Sequence, residues 1–245
     1  MTKALAAWFA LCGLLLSTAA LAAEPDWSDY AGLLQRHLKP KMIKGITLNA
    51  LDYRAMAHDP ALPGTMEALS HFSLANLTTR EEKLAFFINA YNLLAIKIVL
   101  DHRPLESIKD AGYLLTPVWK MEAGSVGGQM VTLHHIEHEV LRPMGEPRIH
   151  MAIVCASLSC PNLSPEPYTA ARLDDQLSRQ TREFLNDPVK GLRINGHQVR
   201  LSRIFSWFEE DFAPLPDFLR RYRPDLPQNA SFKADLPYDW SLNGE

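Results

Sequence analysis

The chain has 245 residues, 47% of them hydrophobic, with 25 Lys and Arg against 28 Asp and Glu for a formal net charge of −3. This is the composition of an ordinary globular domain, and nothing in its mild acidity suggests nucleic acid. The length suits one domain with a full core, and no repeat or low-complexity segment divides it.

The N-terminus reads MTKALAAWFALCGLLLSTAALAAEPDW: one lysine, an apolar run from about Ala4 to Leu16, then Ala20-Leu21-Ala22. The pattern predicts a secretory signal over residues 1–22, cleaved after Ala22 or Ala23, its apolar core too short to span a bilayer comfortably. Cys12 leaves with it, and Leu11 stands where a lipoprotein site needs a small residue. Without Lys3 the balance is 24 basic against 28 acidic residues, a net charge of −4. The expectation is an exported protein, periplasmic or extracellular, with no later apolar run of membrane-spanning length. Its remaining thiols, Cys155 and Cys160, then meet an oxidising compartment.

Residues 23–79 read as an N-terminal helical segment, with short amphipathic helices from Asp26 to His37 and from Leu48 to about Ala57, and Pro60 and Pro63 as interruptions. Thr79-Arg80-Glu81-Glu82 caps a long helix through Leu100, with acids in the first turn where the dipole favours them. Leu84, Phe87, Ile88, Tyr91, Leu94, Ala95 and Ile98 form one stripe, yet Phe86, Ala90 and Leu93 make most other faces apolar, so the helix is expected to be central and buried. Asn89 and Asn92 must then find partners inside. Either backbone groups answer them, or one of these amides orients a catalytic imidazole or an oxyanion.

Gly127-Gly128 leads into a strand over Gln129–Leu133 and a helix starting near His134. Arg148 to Val154 alternates like a buried strand. Thr169 begins a helix carrying Leu173, Leu177, Phe184 and Leu185. Asn195-Gly196 signals a hairpin between Leu192-Arg193-Ile194 and Gln198-Val199-Arg200-Leu201. Ser202 caps a further helix with Ile204, Phe208 and Phe212 in line. Residues 80–212 form the core domain in this reading, and the proline-rich residues 213–245 wrap the surface.

Phe86-Phe87-Ile88-Asn89-Ala90-Tyr91-Asn92-Leu93-Leu94, Ile136-Glu137-His138, Arg148-Ile149-His150, Cys155-Ala156-Ser157-Leu158-Ser159-Cys160-Pro161, Tyr168-Thr169-Ala170 and Ile204-Phe205-Ser206-Trp207-Phe208 occur in that order. Together they resemble the domain-of-unknown-function 547 family, over about Arg80 to Phe212, and in its exported bacterial form. The resemblance supports the domain and implies no particular activity.

His134-x-x-Glu137-His138 formally matches the inverted zincin pattern, in which two histidines one helical turn apart hold a metal. No third ligand is identifiable, and the resemblance implies an acidic residue rather than histidine near position 134, whereas Glu137 and His138 fit it. No metal or cofactor is assigned; a helix N-terminus with solvated histidines is the leading reading, and Glu137-His138 as an acid/base element is the next. On an extended Arg148–Cys155 strand, His150 and Cys155 face opposite ways about 16 Å apart. Cys160, on the following loop, is therefore the better nucleophile. A Cys155–Cys160 disulfide is the favoured pairing; a reactive Cys160 thiol and a metal-ligand role stay open.

The expected fold is α/β or α+β: a single domain in which the long helix packs on a small mixed sheet, with a distant analogy to papain- and transglutaminase-like architecture. Two functions are carried forward. One is an exported hydrolase or acyl transferase with His150 or His138 as base, Glu137 as orienter, Asn89 as polarising amide and Cys160 as nucleophile, acting on an unidentified small-molecule or peptide-like ligand. The other is a non-catalytic envelope binding or scaffolding module whose cysteines are crosslinked. Convergence of these residues on an open cleft separates the two.

Overall fold

The computed structural model describes residues 24–245; the signal-peptide reading lies outside them. The chain opens with helix α1 (Ser28–His37), followed by a hairpin of β1 (Leu38–Ile43) and β2 (Ile46–Leu51). The expected helix over 48–57 is thus strand in its first four residues. Lys44 and Gly45 turn at φ +50° and +79°, and Ile46, Leu48 and Ala50 alternate into a small core with Leu158. Pairing with β1 set the period at two where short-range pattern suggested a helix. Only Tyr53–Met56 (α2) is helical there, with Asp52 as its cap.

Pro60 and Pro63 do not interrupt a helix; they start one. α3 (Ala61–His71) has Pro60 at its N-cap and Pro63 in its first turn, where a missing N–H costs nothing because that donor has no intrahelical partner.

α4 (Arg80–His102) is the centre of the fold, with fourteen of its 23 residues buried. Thr79 and Glu82 form a full capping box, Oγ1 of Thr79 accepting from the Glu82 amide at 3.2 Å and the Glu82 carboxylate from the Thr79 amide at 2.8 Å. Contrary to the sequence reading, the chain does contain a later helix with the length and apolar character of a membrane span: the most apolar window of α4 has a mean hydropathy of 1.6. Protein covers 78% of that window. Packed against α4 is the hairpin of β3 (Glu122–Val126) and β4 (Gln129–Thr132), turned by Gly127-Gly128. The two approach closely at Gly124, where a Cβ would come within 2.7 Å of Leu94.

After β4 the chain forms a wide π-type helix, His135–Leu141, and a 3-10 turn, Pro147–Met151. The strand expected over Arg148–Val154 is absent, for a local and a tertiary reason. Locally, Glu146 accepts from the Arg148 amide at 3.2 Å and clamps its guanidinium at 2.7 Å, holding the turn closed. In three dimensions no strand pairs with it among the described residues. Asn92 stands in for one, donating to the Ala152 carbonyl at 3.0 Å and accepting from the Val154 amide at 2.8 Å.

α5 (Leu173–Asn186) leads to a three-stranded mixed sheet in which β5 (Leu192–Asn195) and β6 (Gln198–Leu201) are antiparallel and β7 (Ser231–Lys233) joins β6 in parallel. Gly196, at φ +59°, starts the two-residue turn. This sheet covers a second core around Met151, Phe184, Leu201, Phe205, Phe212 and Leu219. The helix expected after Ser202 breaks at Phe208 into α6 (Ile204–Trp207) and a 3-10 turn, Glu209–Phe212. The last residues do more than wrap. They form α7 (Leu215–Tyr222) and β7, and the tail then returns to the centre, where Tyr53 donates to the Asn243 side chain at 2.7 Å and Gly244 bridges Leu51. The fold is α+β in one domain, with its strands shared among three small sheets.

Candidate functional site

Between α4, the π-type helix, α6 and the returning tail lies a cavity of about 350 Å³, lined by His138, His150, Glu137, Cys155 and Cys160 and walled by the rings of Tyr91, Trp119, Trp207, Phe208, Tyr238 and Trp240. The volume is that of a small-ligand pocket, and its lining is mostly apolar with a few converging polar groups. Four of the five catalytic residues expected from sequence therefore meet: His150, His138, Glu137 and Cys160. Asn89 does not join them. Its amide is spent on one backbone residue, donating to the Tyr168 carbonyl at 2.8 Å and accepting from the Tyr168 amide at 2.9 Å. The 3-10 turn in place of a strand is what brings His150 to the same cavity as the cysteines, which the extended geometry would have kept apart.

The polar groups form a chain. Tyr91 donates to Glu137 Oε2 at 3.3 Å, and Glu137 Oε1 lies 3.9 Å from Nδ1 of His150. His150 donates from Nε2 to Asp211 at 2.7 Å, and Asp211 is gripped at both oxygens by Arg142, at 2.6 and 2.9 Å. The third guanidinium nitrogen donates to Nδ1 of His138 at 2.9 Å, and the His138 ring sits 4.3 Å from that of His134. Those two histidines thus face each other and an arginine. Among the described residues no group of three His, Cys, Asp or Glu side chains has metal-binding geometry.

Burial sets the protonation states. It pushes the Glu137 carboxyl up to about 7, against the hydrogen bond from Tyr91. It pushes His150 down to about 4, against the attraction of Asp211, and Phe208 stacks on that ring at 4.0 Å. Burial, His134 and Arg142 also lower His138. Asp211 pays burial as well, yet Arg142 and His150 keep it below the usual carboxylate range. Between about pH 4 and 7, then, Glu137 and His150 are both uncharged, and their contact is no ion pair. Because ionised Asp211 takes the Nε2 proton, Nδ1 carries the lone pair, and this buried nitrogen has no hydrogen-bond partner. A protonated Glu137 faces it.

Cys155 and Cys160 are joined as a disulfide, with Cα atoms 6.4 Å apart. Cys160 is accordingly unavailable as a nucleophile in this oxidised form.

Residues 74–185 match the family model described as "Protein of unknown function, DUF547". Over those residues, somewhat under half of its length, the chain is similar to the DUF547 family. The matched DUF547 segment holds Tyr91, Trp119, Glu137, His138, Arg142, His150 and both cysteines, but ends before Trp207, Phe208, Asp211, Tyr238 and Trp240, so the cavity needs the rest of the chain to close. No curated protein and no solved structure matches the chain.

Sequence reasoning missed Asp211, Arg142 and the tail aromatics. Arg142 was findable as the residue one helical turn after His138. Asp211 sits in Glu209-Glu210-Asp211, which reads as a solvated acidic run, and Tyr238 and Trp240 lie in a segment with no periodic signal.

Proposed function

We propose that this protein is an acid–base enzyme of the hydrolase or transferase type, acting on a small organic substrate with a flat or apolar face. The observation that carries the reading is the chain Tyr91–Glu137–His150–Asp211–Arg142, whose first three members line an aromatic cavity, with one carboxyl titrating near neutrality. Catalytic proton transfer is most efficient when the group's pKa lies near the working pH. Glu137, protonated below about pH 7, donates its proton to a leaving atom and takes one back from the incoming water or hydroxyl. Asp211 and Arg142 fix the His150 ring beside Glu137, with its Nδ1 3.9 Å from Oε1. The Trp and Tyr rings hold the substrate by stacking. Asn89 has no part in the chemistry and supports the fold; Cys160 takes no part while the disulfide is closed.

The test is turnover of a panel of small esters, thioesters, amides and glycosides. The expected result is activity on at least one class that falls 10²-fold or more in Glu137→Gln, with the far-UV spectrum unchanged, and that declines as pH rises through about 7. Activity insensitive to Glu137→Gln overturns the acid–base role. Binding of a panel member without turnover selects the non-catalytic binding module, which the same aromatic walls would serve.

A further inference from the structure

The disulfide lies where a structural crosslink has no need to be. It faces the ligand cavity, and the two sulfurs differ in surroundings. Cys155 is partly exposed, whereas Cys160 is 3% exposed. The Cys155 amide donates to Cys160 Sγ at 3.2 Å, and the Ser157 and Tyr238 hydroxyls lie 3.1 and 3.2 Å from that sulfur against 3.2 and 3.5 Å from Cys155 Sγ, so both hydroxyls can donate to Cys160 when it carries the negative charge. Burial holds the Tyr238 hydroxyl well above its usual range, so it stays a donor.

The loop between the cysteines is also held independently of the S–S bond. Its Leu158 and Ser159 amides donate to the Ser241 and Asp239 carbonyls at 2.8 and 3.2 Å, and the Ala156 carbonyl accepts from the Asn243 amide at 3.0 Å. On the other side Asn92 holds Val154. Ala156, at φ +58°, adopts a backbone conformation that a non-glycine residue enters at a cost. That turn carries Ser157 back to both sulfurs, 3.2 Å from Cys155 and 3.1 Å from Cys160.

We infer that Cys155–Cys160 is a redox-active disulfide, opened in the folded protein by a thiol that enters the cavity and attacks Cys155. The incoming thiolate forms a mixed disulfide with Cys155 Sγ as the Cys155–Cys160 bond breaks, and the electron pair leaves on Cys160 Sγ. Exchange is faster when the leaving thiolate is stabilised, and the three donors around Cys160 do that. A second thiolate then attacks the mixed disulfide, releasing the oxidised reductant and the Cys155 thiolate. Two thiols are oxidised to one disulfide, and the protein disulfide gains two electrons and two protons. The reductant is a small thiol or the dithiol of a partner protein.

The test uses the oxidised protein in glutathione buffers of graded redox ratio, quenched by alkylation and read by intact and peptide mass, with near-UV circular dichroism in parallel. The expected result is two new thiols while the near-UV spectrum is retained, with the transient glutathione adduct on Cys155. In Ser157→Ala and in Tyr238→Phe, the loss of one donor to the thiolate shifts the equilibrium about tenfold toward the disulfide, or about 30 mV. Opening that occurs only together with loss of the near-UV signal marks a structural crosslink and overturns the proposal. An adduct on Cys160 instead of Cys155, or an equilibrium unmoved in both variants, overturns it too. These readouts are thiol counts, so they stand apart from whether any panel substrate turns over.

Discussion

Glu137 and His150 show how two buried groups can hide each other in a stability measurement. The Glu137 carboxyl is raised from 4.5 to about 7, so over that range the folded protein keeps a proton that the unfolded chain has released. Its contribution is present at low pH and is lost as pH rises through about 7. His150 is lowered from 6.5 to about 4, so its contribution is present above 6.5 and is lost as pH falls through about 4. Each amounts to roughly 3 kcal/mol, with opposite sign. Wild-type stability is therefore nearly level between pH 4.5 and 6.5 as far as this pair is concerned. Glu137→Gln removes the falling limb, and urea midpoints should then climb with pH, by roughly 3 kcal/mol from pH 4 to 6.5. His150→Asn should uncover the opposite slope, stability dropping between pH 4.5 and 7. Parallel pH profiles in all three proteins would refute the assignment.

At the scale of elements, α4 works as the frame on which the irregular segments hang. Asn89 and Asn92 lie three residues apart on one face of it and each occupies both backbone groups of a partner segment: Tyr168 for the first, Ala152 and Val154 for the second. The bland expectation for these amides, partners in nearby backbone, is what the structure contains. Replacing either by Leu leaves a buried N–H and a buried C=O unpaired, and should cost about 2–4 kcal/mol in chemical denaturation. The Asn92 variant should in addition alter the near-UV signal of the cavity, because Val154 adjoins Cys155, whereas Asn89→Leu should not. Arg148 to Val154 has the apolar alternation of a strand, but a strand needs a neighbour to pair with, and an asparagine on a helix supplied the pairing instead.

For the whole molecule, the tail decides whether the cavity exists. Leu236 and Asn243 are buried, Tyr238 and Trp240 form one wall, and the stretch 239–243 pairs with the cysteine loop. Deleting residues 235–245 should lower stability by more than about 3 kcal/mol, through lost apolar burial and orphaned loop amides. It should also make Cys160 accessible to alkylation after mild reduction; a truncated protein with unchanged midpoint would contradict this. What the sequence carried unaided was local or strongly periodic: the capping box and apolar faces of α4, the Asn195-Gly196 hairpin, the need to satisfy Asn89 and Asn92, the family motifs, and the pairing of the only two cysteines in the described residues. Each depends on neighbours within a few residues or on a cost that any buried setting imposes. Tertiary structure alone decided that Leu48 to Leu51 is strand, that His150 turns toward Glu137, and that Asp211, Arg142, Tyr238 and Trp240 belong to one site. Those outcomes rest on which segments lie side by side. Long-range contact selects among several locally acceptable backbones, and charge or aromatic residues far apart in sequence acquire a common role only when packing brings them to the same low-dielectric cavity.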